Sequence, residues 1–271
     1  MNNGRRLFWV SVILSIGILM VLAAGCANKQ EAAPPPQFPG WEKYSFKHFV
    51  FHFIPGSYWG RNIDRLSDAY ERYLQEMCEF LAMEIPADTI HFYIYENDAE
   101  AKNLAGREIP FIQGNQIHWK RDPHFGEILA RYLIPRMNIR MTDYQVLHDG
   151  VVRLLDYSNN DYHHLTCSLH DIARYIPLDS LIDNEAFERQ NQKYREWEAA
   201  SLVAYITYEF GINRFKMLWQ TTAPFDRSVQ ELFDMDLPTL EQKWHEFALQ
   251  YYQGINIRED RVPEKKTNTT E

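Results

Sequence analysis

The apolar positions of this chain change their period partway along it. YSFKHFVFHFIPGS (44–57) alternates aromatic and polar residues and breaks at Pro55-Gly56, which predicts a strand. Over 61–84 the period becomes three to four. Leu66, Tyr70, Tyr73, Leu74, Met77 and Leu81 recur on one side, as in a long amphipathic helix. TIHFYIYEN (89–97) is rich in β-branched and aromatic residues and reads as a second strand. DAEAKNLAG follows as a short helix closed by Gly106. FIQGNQIHWK (111–120) holds a turn at Gly114-Asn115 and an edge strand.

From residue 123 onward the pattern is helical. PHFGEILARYLI opens with Pro123, a residue favoured in a first helical turn. DYQVLHDGVVRLLDYS (143–158) carries a stripe of Val146, Val151, Leu154 and Leu155. EWEAASLVAYITYEFG (196–211) is strongly apolar and ends at Gly211. INRFKMLWQ and DRSVQELFD predict short helices. LPTLEQKWHEFALQYYQG (237–254) predicts the last helix, with Pro238 near its start and Gly254 past its end. A small sheet followed by a helical half defines an α+β fold, with no internal repeat.

The ends of the chain follow other rules. Arg5 and Arg6 precede LFWVSVILSIGILMVLAA, the layout of a secretory signal peptide. The junction LAAGC resembles a bacterial lipobox, in which cleavage leaves a lipid-modified Cys26 at the new N-terminus; Ala23 stands where a larger aliphatic residue is usual. An uncleaved membrane anchor is the other reading of this apolar run. Either one tethers the chain to a membrane. Residues 26–40 then form a Pro-rich linker, whose consecutive prolines favour extended polyproline II. The organisation expected is a signal peptide at 1–25, the lipidated tether at 26–40, one domain at 41–256 and a polar tail at 257–271.

Charge narrows the partners. Loss of Arg5 and Arg6 lowers the basic count from 28 to 26 against 37 acidic residues, a formal charge of −11. Such an acidic domain is a poor partner for nucleic acid. Cys78 and Cys167, the cysteines besides Cys26, fall in apolar stretches. They suit either one disulfide or two buried thiols.

The candidate chemistry centres on DPHFGEILARY (122–132) and on LHDGVVRLLDY, which starts at Leu147. With ASLVAYITYEFGINRFKMLWQ (200–220) and MDLPTLEQKWHEF (235–247), their order along the chain resembles the gluzincin-like peptidase MA group of metallopeptidases. The resemblance spans roughly 44–252 and implies a zinc site. In that family an H-E-x-x-H helix supplies two His ligands and the general-base Glu, and a later Glu-Gly helix supplies the third ligand. Here Asp149-Gly150 stands for the Glu-Gly pair. Two registers of the metal motif arise. With His124 as first ligand, Phe125 replaces the Glu and Ile128 the second His. With Glu127 as the catalytic Glu, Gly126 and Ala130 replace both His; this register keeps Ile128, Leu129 and Leu133 where family members carry aliphatics. Neither keeps the His pair, so the resemblance implies a degenerate domain whose zinc ligands are lost.

The cleft candidates are therefore His124, Glu127, His148 and Asp149. For His148 and Asp149 the competing reading is an acid favoured by the dipole at a helix start. In a second cluster, His163, Cys167 and His170 have one-face helical spacing, with Asp171 adjacent; a soft-ligand site there competes with an ordinary partly exposed helix. Phe46, Phe49, Phe51 and Phe53 read as core. The function expected is a lipid-anchored envelope module, non-catalytic and without a cofactor, that binds a peptide or an envelope protein or acts as a scaffold. The alternative is an active zinc peptidase with noncanonical ligands. Ala27-Asn28 after the lipidated Cys lack the Asp of inner-membrane retention, which favours the outer membrane where one exists.

Overall fold

The computed structural model describes residues 37–120 and 124–252. All of them belong to one compact unit. The signal peptide, Cys26, Pro123, Gly254 and the polar tail lie outside the described residues. Among the described residues, no helix is long and apolar enough to cross a membrane.

Five strands form one mixed sheet: β1 (Glu42–Phe46), β2 (Phe49–Phe53), β3 (Ile90–Tyr95), β4 (Phe111–Gln113) and β5 (Gln116–Lys120). Their order is β1-β2-β3-β5-β4. The pairs β2–β3 and β3–β5 are parallel, whereas β1–β2 and β4–β5 are antiparallel. The single strand expected over 44–57 is thus a hairpin. The chain reverses at Lys47, which takes a positive φ of 45°, so a tight turn interrupts the aromatic alternation. Residues 111–120 also form a hairpin, with β4 at the sheet edge and β5 inside.

The first helix, α1 (Ile63–Phe80), crosses one face of the sheet. Its Leu66, Tyr70, Leu74 and Met77 are buried with Phe49, Phe51, Phe92 and Trp119 in the main core. The opposite face is built differently. His52, Tyr93, His118 and Phe111 are cross-strand partners across four strands. Neighbouring strands lie about 4.8 Å apart, close to a comfortable ring-stacking distance. Their rings accordingly stack in one line, at 4.2 Å (His52–Tyr93), 4.6 Å (Tyr93–His118) and 4.1 Å (Phe111–His118). Phe38 and Trp41 cover this face beside Tyr93 and Tyr95. Burial pushes His52 and His118 down to about 4, so both rings stack as neutral imidazoles.

A short helix, α2 (Asp98–Ala105), precedes β4 and ends at Gly106 in the left-handed conformation, as its glycine predicts. The helical half comprises α3 (Glu127–Leu133), α4 (Gln145–Leu154), α5 (Tyr162–Asp171), α6 (Leu178–Ile182), α7 (Asn184–Arg189), α8 (Gln192–Phe210), α9 (Ile212–Trp219), α10 (Phe225–Phe233) and α11 (Leu237–Tyr252). The α+β class is as expected. The pair α6 and α7 had no periodic signal, because five and six residues are too few to display one. Helices α4 and α8 pack closely at Gly150, where a Cβ would stand 2.5 Å from the Ala199 carbonyl oxygen. Any larger residue would force these helices apart.

Candidate functional site

Residues 124–126 lead into α3. Glu127 is the first residue of this helix. Its Oε1 accepts from Arg131 Nε at 3.0 Å, and its Oε2 lies 3.4 Å from Arg153 Nη1. Arg153, on α4, is the hub of the site. Its Nη1 also reaches Asp156 Oδ2 at 3.3 Å, and its Nη2 donates to Glu196 Oε2 at 2.6 Å. Burial disfavours the charged guanidinium. Glu127, Glu196 and Asp156 outweigh that cost and hold Arg153 above its ordinary value.

Asp156 is 1 % exposed, and its remaining lone pairs are taken. Tyr162 donates to Oδ2 at 2.6 Å; the Ser158 amide and hydroxyl donate to Oδ1 at 2.9 and 2.7 Å. His124 Nδ1 lies 2.8 Å from Oδ2. The structure therefore brings His124 and Glu127 into one polar network, joined through Asp156 and Arg153. Sequence reasoning missed Asp156, Arg153, Tyr162 and Glu196. One local signal was present: an Asp with a Ser two residues later is the spacing of an Asx-turn.

The two registers of the metal motif can be tested on this geometry. A Cβ on Gly126 would stand 2.1 Å from the Leu155 carbonyl oxygen and 2.6 Å from the Tyr157 ring. The Gly126 amide donates to Asp156 O at 2.8 Å. A histidine has no room there. Ala130 and Ile128 are both buried in the core. Phe125 packs edge-on against Trp59 at 5.8 Å, and its carbonyl accepts from Tyr70 at 2.9 Å. The residues present do not fit the zinc that the resemblance implies. Among the described residues, no group of three or more His, Cys, Asp and Glu is placed to hold a metal ion.

His148 and Asp149 lie in the fourth and fifth positions of α4 rather than at its start, because the helix begins at Gln145. The helix-start reading of Asp149 therefore does not apply. His148 Nδ1 lies 3.0 Å from Asp149 Oδ1. Burial pushes the Asp149 carboxyl up, but the hydrogen bond and charge of His148, with Arg131 nearby, bring it below its usual value. Arg131 thus links this pair electrostatically to Glu127.

The second cluster is split by its own helix. His163 turns into the core, where its Nδ1 lies 2.8 Å from Ser201 Oγ, which also accepts from Trp244 Nε1 at 2.9 Å. Burial holds this imidazole down to about 4. Cys167, His170 and Asp171 instead line a cavity of about 710 Å³ between α5 and α11. Cys167 and Cys78 are both free and buried, and burial pushes each thiol up to about 11. Across the cavity stand Glu241, His245 and Glu246 of α11. Glu241 and His245, spaced by four, were a legible one-face pair that sequence reasoning passed over.

No family model, no curated protein and no solved structure matches this chain.

Proposed function

We propose that this chain is a membrane-anchored lipoprotein of the bacterial cell envelope, tethered through a lipid on Cys26. Its domain resembles a gluzincin peptidase but does not hydrolyse, and it serves as a binding or scaffold module. The outer membrane is the favoured site where the cell has one. The observation that carries the non-hydrolytic reading is the engagement of Glu127. A general base must be free to take a proton from a metal-bound water, yet Glu127 is tied to Arg131 and Arg153. The crowding at Gly126 supports the same reading, since it leaves no room for a ligand side chain.

The test is elemental mass spectrometry of purified residues 27–271 made without a polyhistidine tag, paired with a peptide-hydrolysis assay with and without chelator. The expected result is a folded protein with neither stoichiometric metal nor chelator-sensitive hydrolysis. Near-stoichiometric zinc that survives dialysis, with chelator-sensitive cleavage, would overturn the reading. It would direct mutagenesis to His124, His148 and Asp149 as noncanonical ligands.

A further inference from the structure

The cavity between α5 and α11 has no part in the network around Arg153. Its walls combine stacked rings with carboxylates. The His170 ring stacks on Tyr175 at 4.1 Å, and the His245 ring stands perpendicular to both, at 4.5 and 4.4 Å. Asp171, Glu241 and Glu246 line the same space. Tyr175 OH and the Leu178 amide both donate to Glu241 Oε1, the latter at 2.8 Å, which fixes that carboxylate in place. Glu246 accepts from Gln242 at 2.8 Å.

Three observations define what could sit here. First, among the described residues no Lys or Arg lines the cavity, and no ion pair involves Asp171, Glu241 or Glu246. Second, His245 Nε2 is buried without a hydrogen-bond partner. Burial, with His170 beside it, pushes His245 down to about 4, and burial lowers His170 as well. Neither imidazole therefore supplies positive charge near pH 7. Third, Asp171 is the last residue of α5. The backbone dipole disfavours an acid at a helix C-terminus, so this carboxylate is kept where local helix chemistry opposes it.

An anion would meet like charge on every side of this cavity. A neutral ligand would cover the carboxylates without pairing them, which is costly. A cation pairs them. The rings, Pro238 and the 47 % exposed Leu249 offer apolar surface for its stem. A volume of about 710 Å³ suits a ligand of small-molecule size, since such sites span roughly 300–1,000 Å³.

We propose that the cavity between α5 and α11 binds an organic cation, an ammonium or guanidinium on an apolar stem, with Asp171, Glu241 and Glu246 as its counter-charges. This deepens the binding-module reading and rests on it, by naming the site and the ligand class. The stem can belong to a free amine or to a Lys or Arg side chain of a peptide; the chemistry recognised is the same.

The experiment is an NMR titration of residues 27–271 that follows the imidazole resonances of His170 and His245. The probes are agmatine, the tripeptide acetyl-Ala-Arg-Ala-amide, and its citrulline counterpart, which is nearly isosteric and uncharged. The expected result is saturable shifts of both imidazoles with a charged probe and none with the citrulline peptide. Saturation by agmatine identifies a free amine as sufficient; saturation by the tripeptide alone identifies a peptide-borne side chain. The paired substitution Asp171→Asn with Glu246→Gln, at two exposed positions, is expected to weaken binding about tenfold or more with the fold unchanged. Equal binding of the citrulline peptide, or no shift with either charged probe up to about 10 mM, would overturn the proposal. Metal content and hydrolysis decide the non-hydrolytic reading separately, so the two can fail independently.

Discussion

Two carboxylate-rich regions of the helical half differ in how their charge is met. Around α3, α4 and α8, the acids Glu127, Asp156 and Glu196 converge on Arg153, and the chain supplies its own cation. Between α5 and α11, the acids Asp171, Glu241 and Glu246 line a cavity that, among the described residues, no Lys or Arg lines. The first region is closed by packing as well as by charge, with Gly126 against Leu155 and Phe125 against Trp59. The lesson is that acids alone do not mark a site. What distinguishes a structural cluster from a recognition surface is whether its counter-charge is built in. Glu196 and Glu198, two residues apart on α8, show the contrast on one helix. Glu196 meets Arg153. Glu198 is fully buried, accepts from the Ile176 amide at 3.2 Å, and lies close enough to Glu241 to feel its charge.

The largest expected effect belongs to Arg153. Arg153→Met leaves Glu127, Asp156 and Glu196 without their shared cation. Removing one partner of a buried ionic network typically costs about 3–5 kcal/mol, and urea unfolding at pH 7 should register a loss of that order. A loss below about 1 kcal/mol would mean that the network is solvated and that the two regions do not differ in this way.

Glu198 gives an intermediate and pH-dependent effect. Burial pushes its carboxyl up to about 9, with the Glu241 charge adding and the Ile176 amide opposing, so it is protonated in the fold at neutral pH. A raised folded value contributes stability that is complete below the unfolded value. That stability is lost as pH rises through the folded one. The window therefore runs from about 4.5 to about 9. Glu198→Gln removes this dependence and should stabilise the protein by about 1–3 kcal/mol at pH 8 relative to the parent, with little difference at pH 4. Thermal unfolding at the two pH values checks it. Parallel pH profiles for parent and variant would show that Glu198 is ionised in the fold.

The smallest effect belongs to the open cavity. Asp171→Asn removes an unpaired acid from the C-terminal residue of α5 and should leave stability within about 0.5 kcal/mol of the parent, on the stabilising side. Chemical denaturation measures it. A loss above about 1 kcal/mol would give Asp171 a structural partner and erase the contrast with Glu127.

Much of the architecture was legible in the chain. The stripes of α1 and α4, the apolar run of α8 and the stops at Gly106 and Gly211 follow from periodicity, hydrophobicity and glycine chemistry, which are local. The reversal at Lys47 was not legible, because a non-glycine residue in the left-handed region carries no sequence signature as strong as glycine's. The candidate site was legible in part. His124 and Glu127 were both singled out, in alternative registers of one motif, but what joins them runs through Asp156 and Arg153 on another helix and its following turn. His163 and Cys167 share a helical spacing, yet His163 turns to Ser201 and Cys167 to the cavity, because the width of a helix face does not say what stands opposite each residue.

By itself, the sequence determined the α+β order, the buried faces of α1 and α4 and the helix stops at Gly106 and Gly211, because hydrophobic period and backbone conformational preference act over a few neighbouring residues. Only the tertiary structure decided which acids meet a cation and which do not. Arg153 and Glu196 are 43 residues apart, and Tyr175 and Glu241 are 66 apart. Coulomb energy and desolvation depend on distance and burial in space, and those quantities exist only once the helices have packed.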